Sequence, residues 1–428
     1  MPGPDLLERL LQTLAGPCGV RRGDSVLLCV SGGVDSMVLL HLMQRARSVM
    51  GLDLGVIHVD HGLRKEASRE DAAFVQERCL AQGVPFHLAS LGMDPSVGDL
   101  EQEARRQRYR AVFECSGAHG YKLVATAHTL DDQAETLLYR AVRGTGVRGL
   151  AAMAHRRPDG LIRPLLGVTR AEIARYAREN GIAFRLDATN EDVSRPRNLI
   201  RREVLPLLER INPGAAPALA SLASIAREEG AVLEEMARSL ARQSRVLSGS
   251  LVSVHDASML LSAPLPVLSR LVIELSTSVG GFAQGTSSLQ VGLALEVVQG
   301  KRRAHVLHRR LRIERSGGLV AAHRVVPPPL YRYRVAAGTG GTVSIPEIGL
   351  DVYVGRTVPG DGCVLRSWME GDRAGGLKAT EILASLEVPV LLRPFWPVLE
   401  SGGSIVAVAA GTPGRGPLLM KGVTGRGR

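Results

Sequence analysis

An α/β fold is what this 428-residue sequence predicts: a doubly wound parallel sheet, then a helical linker domain, then a small α+β C-terminal domain. Three observations carry the expectation. From residue 25 to about 186, short branched apolar runs alternate with longer helix-like runs, the pattern of parallel strands covered by helices on both faces. After Pro206 the chain breaks at Asn212-Pro213-Gly214, and sequence rich in Ala, Leu, Glu and Arg with helical spacing follows. Pro327-Pro328-Pro329 marks a second boundary, beyond which short Val, Ile and Leu runs are punctuated by Gly and Pro. The expected domains are therefore 1–212, 213–326 and 327–428, the last ending in a Gly-rich basic tail.

Taken in order, the expected strands are 25–30, 54–59, 85–89, 122–125 and 182–185, and the expected helices 36–47, 67–82, 100–116, 129–143 and 169–179. Sheets of this kind bind ligands beyond the carboxyl ends of their strands. Composition narrows the partners. The net charge of +11 favours a polyanion, with nucleic acid the leading candidate, although an Arg-rich genome gives the same balance. Cys18, Cys29, Cys79, Cys115 and Cys363 are odd in number, widely spaced and form no C-x-x-C, which argues against a disulfide framework or a zinc site and fits a reducing compartment. Residues 1–14 carry acids and read as a helix, not a signal peptide, and no apolar stretch approaches the ~18 residues a membrane span needs. A soluble cytoplasmic protein is the expectation.

The strongest motif is Ser31-Gly32-Gly33-Val34-Asp35-Ser36, set between the first strand and a helix start. Two glycines allow positive φ and close backbone approach. The N–H groups of the turn and of the first helical turn then face an anion, with the positive end of the helix dipole behind them. Ser31 and Ser36 add hydroxyls, and Asp35 adds a carboxylate able to hold Mg²⁺ against phosphates. Neither a Walker A loop nor a Gly-x-Gly-x-x-Gly dinucleotide loop is present.

Three further strings stand at predicted strand ends or on helices. His58-Val59-Asp60-His61 closes the second strand; two histidines suggest a metal, but no further ligands follow at suitable spacing, and a polar capping loop is the plainer alternative. On a predicted helix, Arg105 and Arg108 share a face, with Glu101 four residues before Arg105, which alone describes a solvated salt-bridged face. His128, Asp131, Asp132 and Glu135 open the helix after the fourth strand. First-turn acids are ordinary caps, but four such groups together exceed what capping explains. Spacings of three and four converge Asp131 or Asp132 with Glu135 on Mg²⁺ or a substrate ammonium. A basic cluster, Arg195, Arg197, Arg201 and Arg202, closes the first region.

The loop string resembles the pyrophosphatase loop of the N-type ATP pyrophosphatases, a PP-loop, Rossmann-like superfamily that cleaves ATP between its α- and β-phosphates. Within it, the chain is similar to the tRNA(Ile)-lysidine synthases. The matching strings are His58-Val59-Asp60-His61-Gly62-Leu63-Arg64, Ala104-Arg105-Arg106-Gln107-Arg108-Tyr109, the His128 to Thr136 string, Arg163-Pro164-Leu165-Leu166, Asp187-Ala188-Thr189-Asn190 and Arg197-Asn198-Leu199-Ile200-Arg201. A looser match lies at Arg366-Ser367-Trp368 and Gly371-Asp372-Arg373. The resemblance implies ATP and Mg²⁺, the CAU-anticodon isoleucine tRNA, and free L-lysine joined to C2 of the wobble cytidine through an adenylated intermediate.

It also implies roles. Ser31, Gly32, Gly33, Val34, Asp35 and Ser36 would bind ATP, with Asp35 holding Mg²⁺, and His58 and His61 would line the adenosine pocket. Arg105, Arg108 and Arg201 would meet phosphate, while His128, Asp132 and Glu135 would serve the chemistry, one carboxylate orienting lysine. Arg366 and Arg373 would grip the acceptor arm from the C-terminal domain, and the linker domain would also touch tRNA; a homodimer is one open arrangement. Trp368 and Trp396 read equally as core residues. Two rivals stay open, a tRNA thiolase and an inactive tRNA-binding homologue. The unpaired cysteines oppose the first and the intact loop the second.

Overall fold

A computed structural model describes residues 5–60, 65–91, 100–185, 196–280, 287–308, 310–336, 340–355, 362–413 and 417–422. The chain divides into two compact units, Met1–Glu228 and Glu229–Arg428.

The first unit begins with α1 (Leu6–Ala15), β1 (Ser25–Cys29), α2 (Val34–Met50), β2 (Asp53–Asp60), α3 (Lys65–Ala81), β3 (Phe86–Ser90) and α4 (Leu100–Ala118). There follow β4 (Leu123–Ala125), α5 (Leu130–Val142), α6 (Val147–Leu150), β5 (Leu161–Ile162), α7 (Arg170–Glu179), α8 (Pro196–Leu199) running into a π-helical turn (Ile200–Val204), α9 (Leu205–Ile211) and the start of α10 (Ala215–Gln243). The sheet order is β3-β2-β1-β4-β5, and every neighbouring pair is parallel. The chain leaves β1 in one direction and returns to its other side at β4. The crevice at the carboxyl ends of these two strands is therefore the switch point where such sheets bind ligands. Leu27 and Leu28 of β1, Leu39, Leu40 and Met43 of α2, and Ile57 of β2 are fully buried around the sheet.

Local chemistry sets the helix starts. Thr129 with Asp132, and Thr169 with Glu172, form reciprocal capping boxes that fix the first turns of α5 and α7. The expected strand at 182–185 is not one; β5 is the two-residue segment Leu161–Ile162, too short to read as a periodic run. Instead, the Arg185 N–H donates to the Gly32 carbonyl at 2.9 Å, and its guanidinium pairs with Asp71 and Glu70, each at 2.7 Å. That segment braces the glycine turn rather than extending the sheet.

The second unit continues with β6 (Arg245–Ser248), β7 (Val252–Asp256), α11 (Ala257–Leu261), α12 (Leu265–Gly280), α13 (Ser288–Val298), β8 (Ala304–His308), β9 (Leu311–Ser316) and β10 (Leu319–Arg324). The helices expected here are present. The five-stranded antiparallel sheet β6-β7-β10-β9-β8 was not expected, since its strands have only four to six residues. Beyond it lie β11 (Arg332–Val335), β12 (Gly341–Ile345), β13 (Leu350–Val354), β14 (Cys363–Ser367), β15 (Arg373–Ala374), β16 (Leu377–Lys378), α14 (Ala379–Ser385), β17 (Pro397–Ser401), β18 (Ser404–Ala410) and β19 (Leu418–Gly422). Seven of these form a mixed sheet, β11-β14-β17-β18-β19-β13-β12. Trp396 is 1% exposed in its core, its indole N–H donating to the Ala409 carbonyl at 2.7 Å, so it is a packing residue; Trp368 is half-buried.

Candidate active site at the switch point of the parallel sheet

Leaving β1, the backbone turns at Gly32, whose φ of +91° is left-handed and excludes most side chains. Gly33 caps α2 in an extended conformation. Ser36 ties the turn together: its hydroxyl donates to the Gly33 carbonyl at 2.9 Å and accepts from the Ser31 N–H at 3.2 Å, with the Ser31 hydroxyl 3.2 Å away. The two hydroxyls thus stabilise the loop whose N–H groups and helix dipole are arranged for an anion. His58, buried beside it, donates from Nδ1 to the Val30 carbonyl at 2.9 Å, which leaves Nε2 as an acceptor.

Asp35 lies in the first turn of α2 with Oδ1 buried and without a hydrogen-bond partner among the described residues. Burial outweighs Arg170, 4.0 Å from Oδ2, and with the repulsion of Asp132 leaves its carboxyl raised to about 6. An orphaned buried carboxylate oxygen costs free energy unless a cation or donor arrives. The donor set therefore fits a bound hard cation.

Across the crevice, α5 and α7 build a four-member ion network. Arg170 reaches Asp132 and Glu135, the latter at 2.6 Å, while its backbone N–H donates to Asp131 at 2.8 Å. Arg201, on the π-helical turn, reaches Glu135 at 2.7 Å and Asp132 at 3.3 Å. Glu135 is almost wholly buried. Burial alone would raise the Asp132 carboxyl, but Arg170, with the Thr129 amide and Arg201, holds it below the usual range. Burial keeps His128 neutral by pushing its imidazole well down, and its Nδ1 sits 2.8 Å from the Thr126 hydroxyl.

A third group gathers on Tyr109 of α4. The guanidiniums of Arg105, Arg108 and Arg157 lie 5.2, 5.6 and 5.4 Å from its ring centroid. Burial lowers Arg105, and the nearby cations Arg197, Arg108 and Arg157 lower it further, against the pull of Tyr109. Arg197 donates to the Thr136 hydroxyl at 3.1 Å. Cations crowded at this density favour a polyanion.

The structure thus brings Ser31, Gly32, Gly33, Val34, Asp35, Ser36 and His58 together at the loop, and His128, Asp132, Glu135 and Arg201 across from it. Arg105 and Arg108 stand on the aromatic platform. His61 and its neighbours to Arg64, the side chain of Glu101, and residues 187–195 lie outside the described residues. Arg170 was missed by sequence reasoning. The signal was there: a cation in the first turn of a helix opposes the dipole, so it needs a local reason. Arg366 is a correction. It is 3% exposed, bidentate to Asp372 at 2.8 and 2.9 Å, paired with Glu400 at 2.5 Å and donating to the Ser367 carbonyl at 3.0 Å, so a buried guanidinium committed to these internal partners is not presented to an RNA.

Glycine-turned loop, switch-point crevice and facing ion network together define an ATP-binding protein of the PP-loop class, and the family described as "PP-loop domain" matches residues 5–208. The tRNA(Ile)-lysidine synthase of Symbiobacterium thermophilum is 33% identical over 94% of this chain and 93% of its own. That of Solibacter usitatus is 35% identical over 90% and 92%, and that of Thermus thermophilus 33% identical over 95% and 72%. The chain belongs to the tRNA(Ile)-lysidine synthase family.

Proposed function

We infer that the chain is an ATP-dependent carbon–nitrogen ligase that modifies tRNA(Ile), joining free lysine to C2 of the wobble cytidine in the CAU anticodon. The observation that carries the site assignment is the buried Asp35 Oδ1 in the glycine loop, without a partner among the described residues, opposite Arg170, Asp132, Glu135 and Arg201. The loop amides and Ser31 hold the ATP phosphates. Asp35 would hold Mg²⁺, whose chemistry is to neutralise charge on the departing pyrophosphate. His58 faces the nucleoside.

The C2 oxygen of cytidine attacks the α-phosphate, pyrophosphate leaves, and C2 becomes electrophilic with AMP as its leaving group. Arg105, Arg108 and Arg201 stabilise the charge at the α-phosphate and the RNA backbone. The lysine ε-ammonium, with an ordinary pKa near ~10.4, is unreactive until it loses a proton. Asp132 and Glu135 orient it, exchanging a guanidinium contact for the ammonium; one of the two carboxylates takes the ammonium proton and passes it to solvent, and the neutral amine displaces AMP. Arg170 and neutral His128 position these carboxylates. Among the described residues no helix is long and apolar enough to cross a membrane, and action in the cytoplasm on tRNA fits the charge balance.

The test is incorporation of labelled lysine into an isoleucine-tRNA transcript in the presence of ATP and Mg²⁺. Incorporation that disappears when the wobble cytidine is replaced by uridine is expected. ATP cleavage that proceeds with a sulfur donor while lysine never enters the RNA would overturn the assignment.

A further inference from the structure

Away from the phosphate loop, His87, Cys115 and His119 place three ligand atoms within 4.8 Å of one another. His87 is the second residue of the edge strand β3, near its amino end, whereas nucleotide chemistry occupies the carboxyl ends of the strands. Cys115 lies in the last turn of α4, and His119, four residues on, follows its end. The two imidazoles overlap with centroids 4.1 Å apart and planes inclined by 33°.

The site has a built support. The Tyr121 hydroxyl lies 3.3 Å from His87 Nε2 and orients the ring, as partners of metal-binding histidines do. Tyr121 in turn occupies space over Gly55 of β2, where a Cβ would come within 2.1 Å of its hydroxyl. Gly55 is thus the residue that lets Tyr121 reach His87.

We propose that His87, Cys115 and His119 form a binding site for a borderline-soft divalent metal, Zn²⁺ by donor set, that clips the C-terminal turn of α4 to the edge strand β3. Two imidazoles and a thiolate suit Zn²⁺ and do not suit Mg²⁺, so the site is chemically separate from Asp35. Tetrahedral ligands at the usual Zn–N and Zn–S lengths sit roughly 3.3–3.8 Å apart. Rotation of the exposed His119 supplies the closure, water takes the fourth position, and the Cys115 proton passes to solvent. The clip anchors the helix whose other half carries Arg105, Arg108 and Tyr109.

The experiment is Co²⁺ titration of the untagged, chelator-stripped full chain, read by absorption, followed by Zn²⁺ displacement. One equivalent is expected to give a thiolate-to-cobalt charge-transfer band with tetrahedral visible bands, both lost on adding Zn²⁺. Cys115→Ser should abolish the charge-transfer band, His119→Ala should abolish tight binding, and Tyr121→Phe should weaken it by about tenfold. Cys79→Ser, at a buried cysteine elsewhere, should leave the spectrum intact. His119 is exposed, so its variant stays folded, and Zn²⁺ should raise the Tm of the parent chain but not of this variant. No charge-transfer band, a band that survives Cys115→Ser, or an equal Zn²⁺ shift in His119→Ala would each overturn the proposal and leave a stacked histidine pair.

Discussion

Two arginine–carboxylate networks in this chain use the same chemistry to opposite ends. In the second unit, Arg366 spends its donors on Asp372, Glu400 and the Ser367 carbonyl, and Asp372 also accepts the Met369 N–H at 2.7 Å. In the first unit, Arg170 and Arg201 share Asp132 and Glu135, but Asp35 beside them keeps a buried oxygen without a partner among the described residues. The closed network holds its buried guanidinium on partners within the chain. The open one carries an unmet demand at the mouth of a phosphate loop, and burial makes that demand costly. Geometric completeness, not the presence of buried arginine, separates a staple from a site.

The comparison breaks first at Asp35. Asp35→Ala should cut AMP formation by roughly 10²–10³-fold or more while tRNA retention on a filter stays near that of the parent chain. Lost tRNA binding with intact AMP formation would place the unmet demand elsewhere. The next largest effect belongs to the closed network. Arg366→Ala leaves Asp372 and Glu400 without their cation and should cost about 3–5 kcal/mol in denaturant unfolding of the second unit, with ATP affinity unchanged. Replacing Arg366, Asp372 and Glu400 together by apolar residues should recover most of that loss, which no combination at Asp35, Asp132 and Glu135 can do for activity.

A smaller effect sharpens the contrast through pH. The Asp35 carboxyl stands at about 6 in the folded chain against an ordinary 3.8, because burial outweighs Arg170. The unfolded chain therefore releases this proton first as pH rises, so the folded ligand-free protein loses stability between about pH 4 and pH 6. Asp35→Asn removes that penalty. Its Tm should rise at pH 8, by at most about 3 kcal/mol in stability, and should match the parent chain at pH 4. An equal shift at both pH values would mean that the oxygen is not charged when orphaned. The smallest effect is expected at Arg105. Arg105→Ala relieves repulsion among the cations on Tyr109, so stability should hold while affinity for tRNA falls about tenfold, near 1.4 kcal/mol. A drop in Tm without a change in affinity would make the cluster structural.

What the residues disclosed in advance follows the same division. Ser31 to Ser36 and the helix starts near 129 and 169 were legible because turn and helix-start chemistry is local. The parallel sheet was legible from alternation, but β5 was not, since two residues carry no period, and Arg185 read as strand because its bracing contacts to Asp71, Glu70 and Gly32 are distant in sequence. Arg170 escaped because its partners come from another helix, thirty-five to thirty-nine residues away. Arg366 misled because a motif string does not say whether its carboxylates face inward to the arginine or leave it free.

The most direct measurement is a single-turnover reaction with ATP labelled at the α-phosphate and the isoleucine-tRNA transcript, run without lysine and then chased with it. Label should enter the tRNA at the wobble cytidine, stay there until lysine arrives, and then leave as AMP at the rate lysine is incorporated. Label that never enters the tRNA, or that leaves as AMP without lysine entering the RNA, would contradict the account.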